Sequence, residues 1–209
     1  MKISSSFLSS NNVPDTLRKL NETDTDYIHV DFMDGKFTPK KTMPFKEMKN
    51  IYKFTNKRLD VHLMVKDPKK YIPLFATLNT EYIVFHLETE DNIEENLELI
   101  KKYSIKSGLA ISPRTKIKEL VPYLPLLDII LVMSVEPGMG GQEFIPETTK
   151  KLEELKILLK EYNQNTIISV DGGINDKTKK ECKEADILVA GSYIINADDF
   201  QEKITSLRS

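Results

Sequence analysis

A single cysteine, Cys182, stands in this chain of 209 residues, which excludes an intrachain disulfide and agrees with a reducing compartment. It lies in Lys179-Lys180-Glu181-Cys182-Lys183, where it reads as a helix residue without chemistry of its own. No apolar run approaches the ~18 residues that would span a membrane. Met1 to Leu8 lack the apolar stretch of a secretory signal, so a cytoplasmic location is expected. Neither sign of charge dominates. Lys+Arg 30 against Asp+Glu 32 leaves a formal charge of -2, without the basic excess that favours nucleic acid. The lysine doublets, such as Lys150-Lys151 and Lys179-Lys180, sit mostly beside acidic residues and read as a solvated outer face. No Walker-type Gly-Lys-Ser/Thr is present, which argues against a nucleoside triphosphate. Low-complexity segments and Ser/Gly-rich linkers are missing too, so one domain over residues 1–209 is expected. Hydrophobic content of 40% with 30% charged residues fits a globular chain.

What is present is alternation. Short β-branched runs bounded by turn residues predict strands at Ile3–Leu8, Tyr27–Asp31, Leu59–Val65, Tyr82–His86, Ser107–Ile111, Ile129–Met133, Ile167–Asp171 and Ile187–Ala190. Helical patterns lie between them, clearest at Asn92–Tyr103 and Pro146–Tyr162. In the second, Leu152, Leu155, Leu158 and Leu159 recur at helical spacing, and Pro146 suits a helix start. Strand–helix units in this number leave an open doubly wound sheet or a closed (β/α)8 TIM barrel. The barrel is favoured because candidate site residues end five strands, whereas an open sheet gathers its site at one switch point.

Those residues are polar groups at the tails of buried runs: His29 and Asp31, His62, and Asp171. His29 and Asp31 are two apart on one strand and share a face, as do Asp60, His62 and Met64. One such histidine alone would read as a hydrogen-bonded core residue, and one such aspartate as a strand-end cap. Buried carboxylates are unfavourable unless paired or metal-bound, so four groups at corresponding strand ends point to a ligand set. Two imidazoles and two carboxylates suit a catalytic divalent metal with room for a substrate oxygen. A metal held by two carboxylates also suits proton transfer beside a carbonyl: the cation stabilises the enediolate, and one aspartate removes a proton while the other delivers one.

Met33, Met64 and Met133 follow three of these strands at similar depth. Core packing is the ordinary role of methionine, and a water-excluding cover over a delocalised anion is the alternative. Glycine turns follow the last three strands: Gly138 to Gly141, Gly172-Gly173, and Gly191-Ser192. Each alone is weak, since glycine is the default turn residue. In a barrel, loops after strands seven and eight are the usual phosphate grip, so a small phosphorylated sugar fits.

The segments Ile3–Ser9, His29–Gly35, His62–Val65, Val132–Gln142, Val170–Ile174 and Val189–Ser192 together resemble the ribulose-phosphate 3-epimerase family, in order and spacing, from Ile3 to Ser192. The resemblance implies a (β/α)8 barrel that interconverts D-ribulose 5-phosphate and D-xylulose 5-phosphate in the pentose phosphate pathway. It makes His29, Asp31, His62 and Asp171 ligands of one divalent metal ion per subunit (zinc, iron(II), manganese or cobalt), and Asp31 and Asp171 the acid/base pair. Ser6, His62, Met33, Met64, Met133, Gly138, Gly140, Gly141, Gly172, Gly173, Gly191 and Ser192 become substrate-binding positions. A homo-oligomer is implied, with no nucleic-acid or membrane partner. Asp34 stays outside the catalytic list as a turn or supporting residue, and His86 is open between a site-facing and a packing role.

One loop departs from the family. After Met33-Asp34-Gly35 the family usually continues His, Phe, Val, Pro, Asn, whereas this chain has Lys36-Phe37-Thr38-Pro39-Lys40-Lys41-Thr42. The change bears on substrate preference, and lysines such as Lys36 and Lys40 there would aid capture of a phosphorylated substrate. A 3-epimerase of a six-carbon ketose phosphate such as allulose 6-phosphate is one alternative, and a non-catalytic sugar-phosphate sensor another. Related decarboxylase and aldolase barrels carry Asp-x-Lys at a strand end. The corresponding triplet here is Asp31-Phe32-Met33, which argues against them.

Overall fold

Ile- and Val-rich runs form strands whose side chains are buried on both faces, the condition that a parallel sheet covered by helices imposes. In the computed structural model, which describes residues 1–89 and 92–209, they close into a barrel. Strands β1 (Lys2–Ser6), β2 (Tyr27–Met33), β3 (Arg58–Met64), β4 (Thr80–His86), β5 (Lys106–Ile111), β6 (Ile129–Met133), β7 (Ile167–Asp171) and β8 (Ile187–Ala190) pair in chain order. All pairings are parallel, and β8 returns to β1. Outside lie α1 (Val13–Asn21), α2 (Phe45–Met48), α3 (Pro68–Phe75), α4 (Ile93–Lys102), α5 (Glu147–Glu161), α6 (Ser192–Ile195) and α7 (Phe200–Arg208). 3-10 helices cover Lys49–Lys53, Ile117–Leu126 and Thr178–Cys182.

Local chemistry explains the boundaries. Asn12, Asp67, Asn92 and Asp199 each accept a backbone N–H at the start of a helix, satisfying donors that the first turn leaves unpaired. Pro122 and Pro125 remove backbone donors from Ile117–Leu126, which winds as a 3-10 helix. The first strand is shorter than Ile3–Leu8. Ser6 Oγ accepts the Leu8 N–H at 3.2 Å and Phe7 O accepts the Ser10 N–H at 2.9 Å, so the chain turns after Ser6. β2 runs two residues further than expected, to Met33, because Met33 and Met64 still pair across to β3.

Strand parity divides the core in two. Ile28, Val30 and Phe32 of β2, with Leu59, Val61 and Leu63 of β3, pack outward against the helices, where Leu152, Leu155, Leu158 and Leu159 of α5 join them. Inside the barrel Tyr27, Tyr82, Val84, Leu131, Met133, Ile187 and Val189 form a second apolar cluster. Above it, toward the C-terminal strand ends, the filling turns polar. Cys182 is fully buried in Thr178–Cys182, and burial pushes its thiol up to about 12, so it is inert packing.

Candidate active site

Pairing register aligns the polar residues before any side chain is considered. Ser6 pairs with His29, His29 with Asp60, Asp31 with His62, and Met133 with Asp171. Since Asp60, His62 and Met64 share parity with His29, Asp31 and Met33, both rows project into the barrel. There the candidate ligand atoms of His29, Asp31, His62 and Asp171 all lie within 4.8 Å of one another. Asp31 Oδ1 stands 3.4 Å from His29 Nε2 and 3.3 Å from His62 Nδ1, and Asp171 Oδ2 is 3.9 Å from both nitrogens.

Donors ~2.0–2.2 Å from one shared cation stand about 3–4.3 Å apart, so the group is close to a ligand cage as it stands. His29 supplies a second sign of fit. Its Nδ1 is held by Asp60 Oδ2 at 2.8 Å, whereas its Nε2 is fully buried without a hydrogen-bond partner among the described residues. An orphaned ring nitrogen aimed at two carboxylates, with a carboxylate orienting its other nitrogen, is the arrangement of a metal-binding histidine. This buried His/Asp group could hold a metal ion.

The two aspartates are driven apart in proton affinity. Burial opposes ionisation of Asp31, but neighbouring His29 and His62 outweigh it and hold that carboxyl below the usual carboxylate range. Ser6 Oγ also donates to its Oδ2 at 2.8 Å. For Asp171, burial and then the negative charge of Asp31 push the carboxyl up to about 7. Burial disfavours a charge on His29 as well, yet Asp31 and Asp60 raise it well above the usual imidazole range. His62 is lowered, chiefly by burial. A pair of carboxyls tuned in opposite directions is what acid/base chemistry near neutral pH requires.

Asp171 makes a stability prediction for protein stripped of divalent metal. Its folded value of about 7 lies above the unfolded value of ~4, so the folded state binds the extra proton between those limits. Stability from this group is therefore lost as pH rises from about 4 to about 7. Asp171→Asn should match the wild-type unfolding free energy at pH 4 and exceed it progressively as pH rises toward 8, by on the order of a few kcal/mol, as read by denaturant unfolding. A difference that shrinks as pH rises would contradict the assignment.

One cleft at the C-terminal end is lined by Ser6, Asp31, Met64, Met133 and Asp171 together with Gly138, Gly140, Gly141, Gly172, Gly173, Gly191 and Ser192. His62 lies fully buried beneath it. Met33 lines an adjoining cavity that shares Asp31 and also meets Lys40 and Lys41 of the divergent loop; Lys36 does not line it. Glycine is required at Gly173, where φ is +64 and a Cβ would come within 2.5 Å of the Phe144 backbone nitrogen. Asp34 is a turn residue: Oδ1 accepts the N–H groups of Lys36 and Phe37 at 2.9 and 3.2 Å, and Oδ2 accepts that of Lys66 at 3.2 Å.

Three contributors, Asp60, Ser134 and Glu88, carry no role in the sequence reading, and His86, open there between two roles, is site-facing. Asp60 holds His29 and receives Ser4 Oγ at 2.8 Å; its signal was the Asp-x-His spacing that mirrors His29-x-Asp31. Ser134 Oγ donates to the Asp171 and Gly172 carbonyls at 2.9 and 2.6 Å and pins the end of β7. Glu88 lies beyond the end of β4 and had no signal at all. His86 faces inward, with Nε2 2.9 Å from His62 Nε2 and Nδ1 2.9 Å from Glu88 Oε2.

Fold and site together define a (β/α)8-barrel enzyme with a His2Asp2 group at the catalytic face. Residues 2–195 match the model of the ribulose-phosphate 3 epimerase family. The ribulose-phosphate 3-epimerase of Helicobacter pylori (strain J99) is 36% identical over 211 residues, covering 100% of this chain and 97% of that protein. The enzyme of the same name from Mycobacterium tuberculosis (strain H37Rv) is 36% identical over 185 residues, covering 88% and 81%. Among solved structures, 3-hexulose-6-phosphate synthase from Salmonella typhimurium superposes with a TM-score of 0.70 at 16% identity, covering 99% of this chain and 96% of that one, a likeness of fold. The chain belongs to the ribulose-phosphate 3-epimerase family. Among the described residues no helix is long and apolar enough to cross a membrane.

Proposed function

We propose that this chain epimerises D-ribulose 5-phosphate at C3 to D-xylulose 5-phosphate, through an enediolate, as a pentose phosphate pathway enzyme. The observation that carries the reading is the meeting of Asp31 and Asp171 with His29 and His62 at one strand-end cluster. His29, Asp31, His62 and Asp171 would hold one divalent metal ion, and mixed N/O donors suit zinc, iron(II), manganese or cobalt alike. When bound, such a cation supplies positive charge beside substrate oxygens that become negative as a carbon-bound proton leaves.

The residues of the chain do the rest. The ionised Asp31 takes a proton from one face of C3, and the protonated Asp171 returns one to the other face; in the reverse direction they exchange roles. Ser6 holds Asp31 in place through its hydroxyl. Met64 and Met133, almost fully buried, cover the planar enediolate and keep water away. Backbone N–H groups at Gly172, Gly173, Gly191 and Ser192, with the Ser192 hydroxyl, take the phosphate, and Gly138 to Gly141 border it.

The test is conversion of D-ribulose 5-phosphate in heavy water, followed for both epimer and C3 deuterium. Conversion with deuterium incorporation is expected. Absence of both would sink the proposal in favour of a sugar-phosphate sensor, and turnover of allulose 6-phosphate alone would move it to a six-carbon substrate. Lys40 and Lys41 bear on capture, since both border the cavity beside Asp31. Neutralising them to glutamine should lower kcat/KM several-fold at low salt and flatten its salt dependence. An unchanged salt slope would remove them from the capture step.

A further inference from the structure

His62 is gripped on both edges of its ring, and the two grips assign its proton. On one edge Nδ1 faces Asp31 Oδ1 at 3.3 Å and Asp171 Oδ2 at 3.9 Å. On the other, Nε2 stands 2.9 Å from Nε2 of His86, itself fully buried. Two bare nitrogens or two N–H groups repel at that distance, so one must donate and the other accept. His86 decides which. Its Nδ1 lies 2.9 Å from Glu88 Oε2, while Glu88 Oε1 already accepts the Ser112 N–H at 2.8 Å and the Thr115 hydroxyl. Glu88 is thereby held as a pure acceptor. Asp31 Oδ1 competes for the His62 proton from the Nδ1 side, but at 3.3 Å it is looser than the two 2.9 Å contacts of the His62–His86–Glu88 chain. His86 therefore carries its proton on Nδ1 and offers a bare Nε2, and His62 donates from Nε2 and leaves Nδ1 bare toward the cluster.

We propose that Glu88, acting through His86, is a positioning residue that fixes His62 in the one tautomer able to bind a cation. The idea rests on the metal-site reading above and deepens it. The two histidine arms then differ: His29 is oriented by Asp60 directly, and His62 by a carboxylate one imidazole further out. The outer end of this relay is built in. Lys151 of α5 donates to the Ser112 and Pro113 carbonyls at 2.8 and 3.0 Å, tying down the loop that feeds Glu88. The Phe37 ring covers His86 with centroids 4.7 Å apart, which shields the chain from water.

Glu88→Gln tests the relay with almost no change of shape. The Ser112 N–H and Thr115 hydroxyl demand the amide oxygen, so the NH2 group turns toward His86. That change reverses the tautomer of His86 and then of His62, placing a proton on the nitrogen meant for the cation. Nitrogen-15 NMR of metal-free wild type should show His62 protonated at Nε2 only, and the variant should show the reverse. Zn2+ affinity, measured by competition with a chelator, should fall about 10–100-fold in the variant. Zn2+ affinity equal to wild type would overturn the proposal, and so would a wild-type His62 carrying its proton on Nδ1. The wild-type spectrum needs no variant, so it decides even if Glu88→Gln fails to fold. Wild type that binds no Zn2+ would defeat the metal reading instead, leaving the tautomer measurement to judge the relay.

Discussion

Asp171→Asn should abolish net epimerisation, lowering kcat by at least about 10²–10⁴-fold, the usual contribution of one acid/base group. Asparagine keeps the shape and an oxygen donor while removing the exchangeable proton. Asp31 remains hydrogen-bonded to Ser6 at 2.8 Å and can still remove a C3 proton from its own face. One epimer should therefore acquire C3 deuterium from heavy water without being converted. Asp31→Asn should give the complementary result, with exchange confined to the other epimer. The pattern separates two aspartates acting on opposite faces from a single base acting on both. If either variant retained substantial turnover, or if both lost exchange from the same epimer, the two-aspartate assignment would fail.

Removing bound divalent metal should affect stability as well as rate. The cluster crowds Asp31, Asp171 and Asp60 around His29 in the barrel interior, and His29 Nε2, 3.4 Å from Asp31 Oδ1, has no hydrogen-bond partner among the described residues. A cation relieves that imbalance in the folded state only, so binding becomes folding free energy. At free Zn2+ about 1,000-fold above its dissociation constant the gain is roughly 4 kcal/mol. For a chain of this size that corresponds to a fall of about 8–16 °C in Tm on chelation. Activity should vanish with the metal and return with one or more of zinc, iron(II), manganese and cobalt. The measurement is a thermal melt beside a coupled assay, before chelation, after it, and after each metal is restored. An unchanged Tm and full activity in chelator would show that the His/Asp group works without a cation.

The architecture was legible because it depends on periodicity. Runs such as Ile129–Met133, Ile167–Asp171 and Ile187–Ala190 must be buried on both faces, and their bounds agree with the observed strands residue for residue. Helix α5 was equally readable from the spacing of its leucines and its proline start. Parity alone put His29 with Asp31, and Asp60 with His62, on common faces, since side chains alternate strictly along a strand. Where backbone hydrogen bonding rather than side-chain pattern sets the limit, as in the turn after Ser6, the expected bounds slipped.

Contacts between distant segments were decided by tertiary structure alone. Strand pairing brought His62 opposite Asp31 and gave His29 its Asp60 partner, and neither pairing follows from a spacing of 31 residues in the chain. The divergent proton affinities of Asp31 and Asp171 arise from their enclosure together, a property of neither local segment. The same holds for His86, whose role depends on which nitrogen faces His62 and which faces Glu88. Sequence alone therefore determined the barrel and the strands that carry the His/Asp cluster, because alternation and burial are local patterns. Closure of the barrel decided which groups share a proton or a charge, because such coupling acts only over the few ångströms that folding brings about.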